Sequence, residues 1–355
     1  MICIYVYRKP GYNWDILPYM GVVLHYENAK EVHRTVYAIA KEEFPENVFK
    51  QLTDSTNRYR FNVYHHQEEY NLQMPFYVVK PLYTGMAYLF YKAGFPLSRA
   101  TVLPSLIAYF LTAVLLFYWL SRYLPVIFAT IAGLLISLWG PLLMVAGMSA
   151  PDALSAMLLF FAFYFFIEKD SILLPYIFLL LSILARIDNI LPVSFIIAII
   201  VYTKNQRWNR KFKKGALLLS GAFVCFFLVS SLASEYGWSL LYYSDFYKHL
   251  NTSYDVHTLF SFSNYWSLFK SQLMTGLYYS HLPLFFFLSM IIIRYGYIAQ
   301  RKLNTDILLT VTFLLVIVIR FVLQPVIADR LYIPYYLVIL ILLIRLPLRK
   351  HSHQV

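Results

Sequence analysis

Seven charged side chains stand at the ends of long apolar runs in this chain: Asp15, Lys80, Asp152, Arg186, Asp188, Asp329 and Arg330. Their types suit one kind of chemistry. A carboxylate at such a boundary can take the proton of an attacking hydroxyl, and a lysine or arginine can hold a phosphate and stabilise it as it leaves. When the apolar runs are counted out from the most basic loop, all seven fall on the opposite side. Ionisable groups at membrane depth are costly, so a cluster of them on one face reads as a site.

Each residue also has a plainer reading. Asp15, in Asn13-Trp14-Asp15-Ile16-Leu17-Pro18-Tyr19, is placed to cap a helix that starts near Pro18, or to act as a general base. Lys80, a few residues into an apolar segment, either snorkels to an interface or binds a phosphate at head-group level. Asp152 follows Pro151 and reads equally as a helix start. Arg186 and Asp188 interrupt two apolar runs and fit a local ion pair. Asp329-Arg330 lies between two more runs, ahead of Tyr332 and Pro334, and Arg320 sits in mid-span, where it should face a polar cavity.

The elements that must position these groups follow from composition. Of 355 residues, 60% are hydrophobic and only 14% charged, against about 25% charged in soluble domains. Mean hydropathy is +0.58. The apolar runs are continuous rather than alternating, so they read as helices and not barrel strands. The chain is expected to be an all-α polytopic membrane protein. Its net charge of +12 is concentrated in short loops, above all 204–214, which reads as a cytoplasmic signature and not as a nucleic-acid surface. Cys3 and Cys225 have no spacing that suggests a disulfide framework or a metal site.

Residues 1–73 hold no full span, only a stub from Met1 to Tyr7, an amphipathic stretch through Ala40, and a polar, aromatic segment expected to form short surface helices. Spans are expected at 75–95, 101–120, 124–147 (broken by Gly133, Gly140, Pro141 and Gly147), 151–167, 172–185, 190–202, 215–233, 277–293, 306–327 and 331–344, with an outside loop at 234–275. This gives an N-terminal domain, 1–73, and a helical domain, 74–355. Placing 204–214 and 294–305 inside puts 148–151, 186–189 and 328–330 outside. Counting from an outside N-terminus puts 96–100 inside and 121–124 outside. The two counts agree only if 124–147 enters and leaves on one side.

With these motifs in view, the chain resembles the GT-C superfamily of integral-membrane glycosyltransferases, in particular the polyprenyl-phosphate-sugar enzymes such as the protein O-mannosyltransferases and the aminoarabinose transferases of lipid A. The resemblance loosely covers most of the chain. It rests on Asp15 with Tyr19 four residues later, on Lys80-Pro81-Leu82-Tyr83, on Asp152 opening a middle span, and on Arg330-Leu331-Tyr332-Ile333-Pro334 before the last span. It implies a bundle of about 9–11 transmembrane helices with an extracytoplasmic first loop bearing surface helices. It also implies Asp15 as the catalytic residue, Lys80 and Arg330 as the donor phosphate ligands, and Tyr19, Asp152, Arg186, Asp188, Asp329 and Tyr332 as further site residues. Ile16 stands where the family often has a second acid, so no metal and no other cofactor is expected. The family has a full helix before the catalytic Asp, and with only Met1–Tyr7 in its place that helix is expected to be truncated or absent here.

The implied reaction moves a sugar from a polyprenyl-phosphate donor to an acceptor hydroxyl of a lipid, glycan or protein, with inversion, on the extracytoplasmic face of a membrane, with a bacterial inner membrane as the expected location. Membrane lipids are expected partners. Two other classes fit the same charges: a lipid-linked sugar transporter or flippase, and a polysaccharide ligase or polymerase.

Overall fold

The computed structural model describes residues 2–169, 171–204, 208–232, 261–300 and 305–351. All regular structure among them is helical. The N-terminal part forms α1 (Ile2–Arg8), α2 (Ile16–Tyr26), α3 (Val32–Glu43), α4 (Glu46–Thr53), α5 (Arg58–His65) and α6 (Gln67–Gln73). The helical spacing that runs through Ala40 is interrupted at Asn28 and Glu31, which take left-handed φ angles of 54° and 52° and separate α2 from α3. These helices enclose a small core of their own, centred on Ile16, Met20, Val23, Val36, Tyr37, Val63 and Tyr70.

The chain continues through α7 (Pro75–Val78), α8 (Pro81–Lys92), α9 (Leu97–Leu120), α10 (Val126–Ser137), α11 (Gly140–Gly147), α12 (Asp152–Glu168), α13 (Leu173–Ala185), α14 (Ile190–Lys204) and α15 (Trp208–Ser230). The last four helices are α16 (Phe262–Tyr279), α17 (Leu282–Gln300), α18 (Thr305–Leu323) and α19 (Ile333–His351). Leu97–Leu120, Phe212–Ser230 and Thr305–Leu323 are each long and apolar enough to cross a membrane. The pairs α10–α11 and α16–α17, bent by 61° and 73°, raise that number to five if each is one broken span. At the centre, α12 is buried almost all round, as a helix with no polar face must be. Its Phe160 and Phe163 pack with Trp119, Phe313 and Tyr335.

The segment expected as the first span does not cross the bundle. α8 has 12 residues, about 18 Å at 1.5 Å per residue, and it runs beside α2. Lys92 pairs with Glu27 at 3.0 Å, Tyr26 bonds Thr84 at 2.9 Å, and Ala87 belongs to the N-terminal core. The chain therefore re-enters the bundle at the end it left. Thr101 of α9 bonds Ser149 at 2.9 Å and Ser105 bonds the Ala150 carbonyl at 2.8 Å. At the far end Trp119 donates to Glu168 at 3.0 Å and Arg122 lies 3.5 Å from it. So α9 and α12 run parallel, and α10–α11 is the crossing that returns between them. This corrects the count that placed 96–100 and 121–124 at the opposite ends, and it removes the disagreement between the two counts. Part of the loop expected at 234–275 is also helical: α16 begins at Phe262, while 233–260 lie outside the described residues.

Candidate functional site

The site is built at the end of the bundle where four chain segments turn. The first is 11–15, which runs into α2 and is clasped to the segment ahead of α12. The Gly11 N–H donates to the Gly147 carbonyl at 2.9 Å, the Ser149 N–H donates to Asn13 Oδ1 at 3.0 Å, and Asn13 Nδ2 donates to the Ser149 carbonyl at 3.3 Å. This clasp fixes Asp15. Its carboxylate accepts from Tyr77 Oη at 2.8 Å and from Asn13 Nδ2 at 3.3 Å. Asp15 occupies the N-cap position of α2 but its side chain makes no capping bond, so the capping role open to it in the sequence is not the one it plays. Burial first, and the Asp15 charge next, push the Tyr77 phenol well above its ordinary range, which keeps it protonated and donating.

The second segment is the short turn between α7 and α8. It carries Lys80, whose Nζ lies 4.8 Å from the Tyr77 ring centre and 5.4 Å from that of Tyr19. Tyr19 is fully buried edge-on against Tyr77 and Tyr83. It is thus part of the aromatic floor under Lys80.

The third segment is the 3-10 turn Ile187–Asn189 between α13 and α14. Asn189 pins it to α12 by a bond to Ser155 at 2.7 Å and to the end of α13 by a bond to the Ser182 carbonyl at 2.8 Å. The local ion pair read from the sequence is present: Arg186 grips Asp188 through two bonds of 3.0 and 3.1 Å. Arg186 also pairs with Asp152, and Arg320 of α18 pairs with Asp188. Asp152 makes no helix cap; its buried carboxylate is held by Arg186 and, at 3.6 Å, by Arg330. The mid-span Arg320 meets a polar partner, as an arginine at that depth must.

The fourth segment, the turn 329–331, sends its two charges in different directions. Arg330 faces Asp152 and, with Arg186 and Arg320, lines a void of about 10 Å³, the size of one water. Asp329 turns away, toward the break between α16 and α17. It accepts from the His281 N–H at 3.1 Å, bonds His281 Nδ1 at 2.5 Å, and accepts from Tyr336 at 3.1 Å. His281 Nε2 in turn accepts from Trp139 Nε1 at 3.1 Å, which fixes the Nδ1–H tautomer. Asp329 thus joins two helix breaks. Tyr332 is fully buried in the core, and its hydroxyl finds no hydrogen-bond partner among the described residues.

Beside these groups opens a cavity of about 750 Å³. One wall is charged: Lys80, Arg186, Asp188 and Arg320. The rest is mostly apolar, with Phe76, Leu191, Phe223, Phe226 and Leu323, and includes the neutral polar side chains Ser194 and Gln324. Arg320 lines this cavity, and Arg330, expected as a phosphate ligand, does not. Asp15 stands one side chain back, behind Tyr77 and Lys80. Among the described residues no three His, Cys, Asp or Glu side chains converge to ligate a metal. Sequence reasoning missed Asn13, Tyr77, Asn189, His281 and Trp139. Asn13, two residues before Asp15, Tyr77, three before Lys80, and Asn189, next to Asp188, lay close enough in sequence to be found; His281 and Trp139 did not.

Comparison with protein-family models, with curated proteins and with solved structures gave no match to this chain.

Proposed function

We propose that this chain is a polytopic membrane glycosyltransferase of the GT-C type that takes a polyprenyl-phosphate sugar as donor. Three helices, or five if each bent pair is one span, are long and apolar enough to cross a membrane; the about nine crossings of such an enzyme require that shorter apolar helices such as α13, α14 and α19 cross as well. The observation that carries the reading is the 750 Å³ cavity, cationic at one end and apolar along its length. That is the shape of a lipid phosphate: head on Lys80, Arg186 and Arg320, chain along Phe223, Phe226 and Leu323.

Charge supports the reading. Lys80, Arg186, Arg320 and Arg330 stand against Asp152, Asp188 and Asp15, which leaves one positive charge over, matching the single negative charge of a phosphodiester donor. In the reaction the acceptor hydroxyl gives its proton to Asp15. Its oxygen bonds the anomeric carbon from the face opposite the phosphate, and the carbon–oxygen bond to phosphate breaks with its electron pair going to the phosphate. The site then carries two positive charges and the leaving polyprenyl phosphate two negative ones, so the balance holds across the step, as electrostatic stabilisation of a leaving group requires. Asp15 suits the base role because Asp152 and Asp188 are already bound to guanidinium groups, whereas Asp15 accepts hydrogen bonds from an amide and a phenol.

The test is transfer of labelled sugar from a polyprenyl-phosphate donor by the purified chain, beside Asp15→Asn and Lys80→Ala. Turnover in the wild type and loss in both variants is expected; near-normal transfer by Asp15→Asn sinks the base assignment. The bent pairs α10–α11 and α16–α17 favour a second reading, a lipid-linked sugar transporter, since broken helices mark transporter sites. A transporter would leave the donor unconsumed. The bacterial inner membrane is the proposed setting.

A further inference from the structure

A second cavity lies on the other side of the clasp that holds Asp15. It measures about 870 Å³, with apolar walls from Ile2 and Val6 of α1 and from Leu138, Leu143 and Met144 around α10–α11. Its polar edge is made by Lys9 and Asn13. Asn13 is also the side chain that donates to Asp15 at 3.3 Å, so a single residue separates this cavity from the proposed base. Half of the Met144 surface is open.

The edge is strongly basic. Arg99 donates to the Arg8 carbonyl at 3.3 Å and to Tyr12 Oη at 3.2 Å, which docks it against the segment that carries Arg8 and Lys9. None of the three pairs with a carboxylate among the described residues. One guanidinium nitrogen of Arg99, Nη1, is buried with no hydrogen-bond partner. An apolar groove with Lys9 on its edge and Arg8 and Arg99 in the adjoining segments, none paired with a carboxylate among the described residues, calls for a ligand with a hydrocarbon body and an anionic head.

We infer that this groove binds an anionic phospholipid and that this lipid is the acceptor of the transfer. Its chains lie against Val6, Leu143 and Met144, its phosphate lies against Arg8, Lys9 and Arg99, and a head-group hydroxyl passes Asn13 to reach Asp15. The acceptor role rests on the transferase reading; the lipid site does not. A water-soluble acceptor would leave the apolar walls wet and the hydrocarbon side of the groove unused.

The test uses the full chain in detergent, titrated with phosphatidylglycerol or phosphatidylcholine and read by native mass spectrometry. Each basic group near an anionic head adds about fivefold to lipid binding, so phosphatidylglycerol should be preferred by about 10–100-fold. Filling the groove with Met144→Trp should weaken both lipids. Reversing two exposed charges with Arg8→Glu and Lys9→Glu together should erase the preference and leave phosphatidylcholine binding unchanged; this pair keeps the test decisive if the tryptophan variant does not fold. Equal binding of the two lipids by the wild type overturns the site, as does a second copy of the chain seated in the groove. Label recovered on phosphatidylglycerol supports the acceptor role, and label recovered only on water or another acceptor overturns it. Failure of the transferase reading shows separately, as donor left unconsumed whatever lipid is present, with the binding ratios still readable.

Discussion

Asp15 differs from the carboxylates around it in what it touches, and two predictions follow at the scale of the residue. The hydrogen bonds it accepts come from Asn13 and Tyr77, which are neutral, and not from a guanidinium group. Asp15→Asn should lower kcat by about 10²–10⁴-fold with a small change in KM. The same substitution removes a negative charge beside the phosphate site, so binding of the product polyprenyl phosphate should tighten several-fold, as Coulomb energies at effective dielectric constants of about 20 imply. Equilibrium binding with a short-chain polyprenyl phosphate checks this; weaker binding would show that Asp15 does not share a field with the phosphate. Asp152 is the contrasting case. Its buried carboxylate holds Arg186 and Arg330, and Asp152→Asn leaves both guanidinium groups short of a counterion. Breaking a buried pair in this way costs about 3–5 kcal/mol, so Asp152→Asn should lower the unfolding midpoint sharply, where Asp15→Asn should not.

At the scale of the element, the N-terminal layer depends on close contacts that the sequence pattern does not reveal. A Cβ at Gly21 of α2 would collide with Tyr70 Oη, and that hydroxyl donates to the Leu17 carbonyl at 3.0 Å. Alanine gains about 1 kcal/mol over glycine inside a helix, but overpacking costs about 1–3 kcal/mol and the displaced buried hydrogen bond about 1 more. Gly21→Ala should therefore destabilise the layer, seen as a lower thermal midpoint. The layer should also weaken in acid. Burial lowers the pKa of His33, although its bond to the Val63 carbonyl opposes this. The folded form prefers the neutral ring, so the stability is full above the ordinary value of 6.5 and is lost as pH falls through 6.5 toward the lower folded value. His33→Gln should flatten the fall in thermal midpoint between pH 7.5 and 5. The ends of the main helices were legible in the sequence because proline, glycine and charge interrupt apolar runs there. The role of α8 was not. An apolar run of its length reads the same whether it crosses a membrane or packs in a core, and only contacts such as Lys92–Glu27 and Tyr26–Thr84 decide. Likewise Asp152, Arg186, Asp188 and Lys80 were visible as a group, but the link from Asp329 to His281 spans 48 residues and that from His281 on to Trp139 spans 142, and no local pattern records them.

At the scale of the whole molecule, the bundle has two unlike ends. One carries the clasp, the cavity and the turns at 186–189 and 329–331. The other is tied by Glu168 with Trp119, Tyr123 and Arg122, and by Arg345 with Asp306. Because α8 turns back along α2, Phe95 belongs to the site end, whereas a count of apolar runs alone places it with the basic loops. These alternatives give opposite results in a labelling experiment. With Cys3 and Cys225 replaced, single cysteines at Phe95, Tyr279 and Lys169 would be treated with a membrane-impermeant maleimide on sealed vesicles of known orientation. Phe95 and Tyr279 are both exposed, and Tyr279 lies beside the break that reaches Asp329 through His281. The expected outcome is that Phe95→Cys and Tyr279→Cys react from one side and Lys169→Cys from the other. Labelling of Phe95→Cys together with Lys169→Cys would make α8 a crossing helix after all. It would separate the N-terminal layer from the start of α9, and Asp15 would then lose the clasp to 147–149 on which its role depends.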